Sequence, residues 1–153
     1  SNNSVARAQA ATTTPGAVLR QPITRTSTVA ADPQWQWPVR GRILQPFQSG
    51  PGFNKGVDIQ ASIGEPVRAA AGGEVVYAGS GIQGSGNLVI IRHGERYLSA
   101  YAHNQRIHVS QGETSRAGDQ IGEVGTNEQE QTALHFEIRR DGKPVDPLTY
   151  LPR

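Results

Sequence analysis

From residue 35 onward, short apolar runs alternate with glycine-bearing turns. The apolar runs are too short for helices, and none keeps a 3.6-residue period. They read as β-strands. The pattern predicts strands over 41–46, 67–70, 73–80, 87–93, 97–103, 120–125 and 133–139, with short turns at 107–109 and 147–151. The separators are clusters such as Gly79, Ser80 and Gly81, or Gly84, Ser85, Gly86 and Asn87. The predicted fold class is mostly β, an antiparallel sandwich with a groove. Successive strand residues point to opposite faces. In 133–139 this places Leu134, Phe136 and Ile138 in the core. Ala133, His135, Glu137 and Arg139 share the other face. In 97–103 the same rule groups Tyr97, Ser99, Tyr101 and His103. Two strands thus each carry a polar, histidine-bearing face, which can floor a groove.

Residues 1–34 have a different pattern. They are rich in Ala, Thr, Ser, Gln and Asn, punctuated by Pro15, Pro22 and Pro33, and sparse in large apolar side chains. Such a segment buries too little to offset its ordering entropy. It is expected to be a flexible linker before a domain spanning 35–153. Its few apolar contacts would come from Val18, Leu19 and Ile23. All of the 18 glycines but Gly16 lie in the second part. The formal net charge of +2 also divides there. Three of the 15 basic residues (Arg7, Arg20, Arg25) and one of the 13 acids (Asp32) fall in 1–34, so the remaining 12 and 12 cancel. A neutral body argues against a nucleic-acid-binding face. With no Cys, disulfides, thiol nucleophiles and thiolate metal sites are excluded. No Met is present either, which predicts a piece cut from a longer protein. No run reaches the length of a membrane-spanning helix, so the domain itself is not expected to insert.

The chemistry-bearing side chains are Asn54, Lys55, Asp58, His103, His135, Glu137 and Arg139. A hydrolytic zinc site needs three protein ligands, an open position for water and a nearby base. Asp58 and His135 with a third ligand, and His103 as proton carrier, would make one. Spacing alone is a weak signal for such a site and favours ordinary groove or surface roles. His93 and His108 read as structural and surface residues. Trp35 and Trp37 read as plugs at the domain edge rather than sugar platforms.

The order of four motifs adds to this. Asn54-Lys55-Gly56-Val57-Asp58, the 86–93 run from Gly86-Asn87 to Arg92-His93, Tyr101-Ala102-His103 and Leu134-His135-Phe136-Glu137-Ile138 resemble a LytM (lysostaphin-type) peptidase domain. The resemblance covers about 36–152, including Trp37-Pro38-Val39 and Val145-Asp146-Pro147. In active members a His-x-Gly-x-Asp motif supplies two zinc ligands, and a His-x-His motif supplies a catalytic His and the third ligand. The Tyr-x-His motif supplies a second catalytic His. Here Asn54 stands at the first ligand position and Ala133 at the first position of His-x-His. A carboxamide is a poor zinc ligand beside an imidazole, and Ala133 cannot move a proton. The resemblance therefore implies a vestigial groove formed by Asn54, Asp58, His103, Ala133 and His135, with no metal, no cofactor and no catalytic residue.

The variant first motif is most similar to the NlpD class of amidase activators. That implies a periplasmic cell-wall role, with outer-membrane anchoring of the full-length protein and a LysM peptidoglycan-binding module before the linker. The implied partner is an N-acetylmuramoyl-L-alanine amidase whose autoinhibition is relieved when a segment of it enters the groove. Lys55 and Arg139 are candidate charged anchors, Glu137 shares the strand face of Arg139, and Tyr101, with Tyr97 after it, is a candidate aromatic wall. The polar loop 126–132 is a candidate recognition rim. An active zinc endopeptidase with an altered ligand set and a peptidoglycan-binding module without protein partner are the competing readings.

Overall fold

The chain was described as a computed structural model covering residues 32–51 and 54–153. The predicted linker therefore lies almost wholly outside the described residues, and Val18, Leu19 and Ile23 with it. Among the described residues, ten strands and one 3₁₀ turn follow in order: β1 Ile43–Gln45, β2 Val57–Gln60, β3 Pro66–Arg68, β4 Gly73–Gly79, β5 Asn87–His93, β6 Tyr97–Ile107, β7 Thr114–Ser115, β8 Gln120–Val124, β9 Ala133–Arg140, β10 Lys143–Val145, then Pro147–Thr149. The main sheet runs β1-β2-β9-β6-β5-β4-β7, with β10 also on β9. Every pairing is antiparallel.

The eleven-residue β6 organises the whole. Its first half pairs with β5 and β9, and its second half leaves them to pair with β8, which in turn pairs with β3. The β3–β8 pair lies over the inner face of the main sheet. Val67, Ile121 and Val124 join Val57, Ile59, Val89, Ile91, Leu134, Phe136 and Ile138 in one buried cluster. Leu134, Phe136 and Ile138 are all fully buried, as the two-residue period requires.

At one end of the core, Trp35 is 9% exposed and meets His93, Tyr97 and Tyr150 edge-on, at 5.1, 5.6 and 6.3 Å between ring centroids. Trp37 donates its indole N–H to the Pro152 carbonyl at 2.7 Å, tying the start of the domain to its end. His93 is structural. It donates from Nδ1 to the Gly72 carbonyl at 2.7 Å, and its Nε2 accepts from the Ser99 hydroxyl at 2.7 Å.

Three strands were missed in the sequence: β2, β7 and β10. β7 has only two residues, too few for any period. β2 alternates Val57 and Ile59 inward with Asp58 and Gln60 outward, a four-residue pattern masked by its polar flanks. β10 follows Asp141 (φ 52°) and Gly142 (φ 82°), a two-residue hairpin turn with both residues left-handed.

Candidate functional site

Asp58 on β2 and His135 on β9 face each other across the sheet ladder. Their side chains meet: Nδ1 of His135 lies 2.6 Å from Oδ1 of Asp58. Two residues along the same face of β9, Glu137 places Oε2 2.8 Å from Nε2 of His135. Arg139, two further, donates from Nε and Nη2 to Glu137 Oε1 at 3.0 and 2.8 Å. The outward alternation of β9 thus lays an imidazole, a carboxylate and a guanidinium in a row, and β2 adds a second carboxylate at its head.

Charge follows from the geometry. Burial pulls the His135 imidazole down, but its hydrogen bonds to Asp58 and Glu137, and their charges, outweigh this and push it up to about 9. Glu137 is raised by burial, yet His135 and Arg139 hold it below its ordinary value. A carboxylate at each ring nitrogen favours the imidazolium, which donates from both.

His103 is the fifth member, 6.3 Å from His135 between ring centroids. It reaches the groove against strict alternation, which would leave it beside Tyr101 in the core. The ladder explains why. Val89 pairs with Tyr101 but Asn87 pairs with Asn104, so β6 carries one extra residue in this interval. His103 takes φ 67°, and the inward position passes to Asn104. Burial, and then the neighbouring His135, hold the His103 imidazole below its ordinary value, while Asp58 and Glu128 oppose this.

Asp58, His103, His135 and Glu137 line a cleft of about 600 Å³, whose walls also include Gln45, Asn54, Ser85, Asn127, Glu128 and Gln129. The loop predicted as a polar rim does border it. Asn127 organises that loop, its Oδ1 accepting from the backbone N–H groups of Gln129 and Gln131. A smaller hollow of about 290 Å³ continues the cleft along the sheet over Leu88, Ile90, Leu98 and Ala100, with Arg139 at its side. Sequence reasoning missed this apolar extension, because its residues come from three strands and look like core positions in each. Ser85 was missed too, although its glycine-flanked run had been marked as a turn.

Several candidates fall elsewhere. Tyr101 does not wall the groove. It is fully buried, rests against Phe136 at 5.3 Å and accepts the Ala70 N–H at 2.8 Å. Tyr97 is likewise buried, at 4% exposure. Both stay inward because the bulge that turns His103 outward comes after them. Ala133 shares the β9 face of His135 but is buried, at 1% exposure, beside the Thr126–Thr132 bridge. Lys55 is exposed on the loop before β2.

The candidate ligand positions are engaged in other contacts. The Asn54 amide donates from Nδ2 to the carbonyls of Pro46 and Gln45 at 3.1 and 3.3 Å, and its Oδ1 accepts from the Gly56 N–H at 3.4 Å. The side chain is thereby used to close the loop. Both ring nitrogens of His135 are engaged, one with Asp58 and one with Glu137. Among the described residues, no group of three or more His, Cys, Asp or Glu is arranged to hold a metal.

The model of Peptidase family M23 matches residues 52–147. The chain belongs to peptidase family M23. Among solved M23-like structures it is similar to a zinc-containing peptidase from Vibrio cholerae, with TM-score 0.67 and 28% identity, covering 74% of this chain and 39% of that one. Among curated proteins it is 54% identical over 119 residues to a lipoprotein NlpD/LppB homolog of Pseudomonas aeruginosa, covering 78% of this chain and 40% of that protein. It is 47% identical over 119 residues to the murein hydrolase activator NlpD of Escherichia coli K12, covering 78% of this chain and 31% of that protein. The M23 chain thus spans well under half the length of these relatives. The two curated relatives are named lipoprotein homolog and activator.

Proposed function

We propose that this M23 domain is a non-catalytic activator of cell-wall amidases. The observation that carries the reading is the use made of the former catalytic positions. Asn54 closes a loop, His135 is an imidazolium held by two carboxylates, and Ala133 is buried. A groove with no place for zinc keeps its shape and its polar lining, and serves as a docking surface. The groove receives a segment of an N-acetylmuramoyl-L-alanine amidase, and this binding relieves the amidase's autoinhibition during splitting of the wall between daughter cells. Arg139, beside Glu137 at the edge of the apolar extension, is the charged anchor on the sheet, and Lys55 is a second on the rim. The activator names of the relatives support the reading.

The same proposal puts the full-length protein in the periplasm on an outer-membrane lipid anchor; a further relative, from Haemophilus influenzae, is named outer membrane antigenic lipoprotein B. Among the described residues, no helix is long and apolar enough to cross a membrane. Peptidoglycan contact through a separate LysM module belongs to the same proposal.

The deciding experiment measures dye release from labelled sacculi by a purified periplasmic amidase, with and without this chain. The expected result is release that rises with added chain, while the chain alone releases nothing. Release by the chain alone that a chelator abolishes would establish the zinc endopeptidase instead. Pull-down with sacculi but an unchanged amidase rate would establish a wall-binding module.

A further inference from the structure

The bulge that brings His103 into the groove is held by a reciprocal pair of amides. Asn104 donates from Nδ2 to the Asn87 carbonyl at 3.0 Å and to the Tyr101 carbonyl at 2.9 Å. Asn87 donates from its own Nδ2 to the carbonyls of Asn104 and Gln105 at 2.9 and 3.4 Å. The two side chains thus staple both sides of the one-residue insertion. The His103 N–H goes to the Ser85 carbonyl at 2.9 Å, so the loop before β5 completes the clamp.

Such a clamp has to oppose two costs. A non-glycine residue at φ 67° is strained. The Asn104 side chain is buried, at 4% exposure, and its Oδ1 has no partner among the described residues. An orphaned buried acceptor is expensive, and an apolar side chain at 104 would avoid it. The surroundings nevertheless fit the amide closely. A Cβ on Gly122 would lie 2.3 Å from that Oδ1. Gly86, itself at φ 60°, would bring a Cβ within 3.5 Å of the His103 ring nitrogen.

We infer that Asn87 and Asn104 are positioning residues, whose task is to hold the extra residue of β6 left-handed so that the His103 ring stands in the groove beside His135. Without the staple, β6 relaxes toward regular pairing with β5. His103 then turns toward the core side, and the polar wall of the groove opposite Glu128 is lost. The consequence for amidase activation rests on the docking function proposed above; the positioning itself does not.

The test is Asn87→Ala in the whole chain with ¹³C,¹⁵N-labelled histidine, read by ring-proton cross-peaks. Trp35 and His93, 5.1 Å apart at the far end of the core, report the fold. His103 and His135 report the groove. The expected result is that the Trp35–His93 cross-peak persists, the His103–His135 cross-peak disappears, and amidase activation drops severalfold. Persistence of the His103–His135 cross-peak in folded protein overturns the inference. Loss of that cross-peak with unchanged activation upholds the positioning and removes His103 from the docking surface, whereas a wild-type chain that does not activate the amidase overturns the docking function and leaves the positioning standing. If Asn87→Ala does not fold, Asn87→Ser, which shortens the donor's reach and keeps a polar group at this half-buried site, is read in the same way.

Discussion

Asp58 and His135 stand opposite each other on neighbouring strands, with 2.6 Å between carboxylate oxygen and imidazole nitrogen. In a zinc-binding arrangement, both atoms would direct lone pairs at the metal. Here a proton lies between them. Together with Glu137 and Arg139 they form a closed row of alternating charge, with two carboxylates against an imidazolium and a guanidinium. The positive charge that a metal would bring is supplied by a proton and an arginine.

This row makes stability depend on pH in a known direction. His135 is raised in the folded state to about 9 from an ordinary 6.5. Its contribution is therefore full below pH 6.5 and is lost as pH rises through about 9. The span of the shift corresponds to roughly 3 kcal/mol. Urea unfolding at pH 7 and pH 10 should show a fall in stability in the wild type that is mostly absent in His135→Gln.

The acid side runs the other way. Burial lowers His93, so below pH 6.5 the unfolded chain takes up a proton that the folded one refuses, and stability falls. Glu137 is also lowered, and its contribution is lost as pH drops below 4.5. A His93→Gln variant, if folded, should have a flatter stability curve between pH 7 and 5, measured by denaturant titration.

Replacing His103 separates conformational strain from packing. At φ 67° glycine is unstrained and alanine is not. His103→Gly should be more stable than His103→Ala by about 1 kcal/mol, read from unfolding midpoints. Equal stabilities would mean that the left-handed geometry is not kept.

Metal content tests the vestigial site. The wild-type chain, dialysed against zinc and passed over a desalting column, should carry far less than one equivalent by elemental analysis. Asn54→His combined with Ala133→His should raise that figure, because a neutral imidazole replaces a carboxamide that faces backbone carbonyls. One tightly held zinc in the wild type would end the non-catalytic reading.

Arg139 and Tyr101 should behave oppositely. Arg139→Ala removes a half-exposed guanidinium, so stability should change by about 1 kcal/mol or less, while amidase activation collapses. Tyr101→Phe leaves the Ala70 N–H without its acceptor in the core, costing about 1–3 kcal/mol, yet activation per folded molecule should hold. Melting curves and dye release on the same samples check both.

Local alternation determined much of this protein. Leu134, Phe136 and Ile138 inward, with His135, Glu137 and Arg139 outward, follow from one strand's period, because pleating depends only on neighbours in the chain. The side chains at Asn54 and Ala133 were equally legible, since they are identities rather than conformations. The outward turn of His103 was not legible. It depends on a register shift between β5 and β6 and on hydrogen bonds from side-chain amides between residues 17 positions apart. The inward place of Tyr101 was misread for the same reason, because the sequence shows the alternation but not where it breaks. The union of Asp58 with His135, 77 residues apart, and the resulting charge on the imidazole, exist only once β2 and β9 pair. A side chain's identity is written in the sequence, but its protonation and its direction depend on what the fold sets beside it.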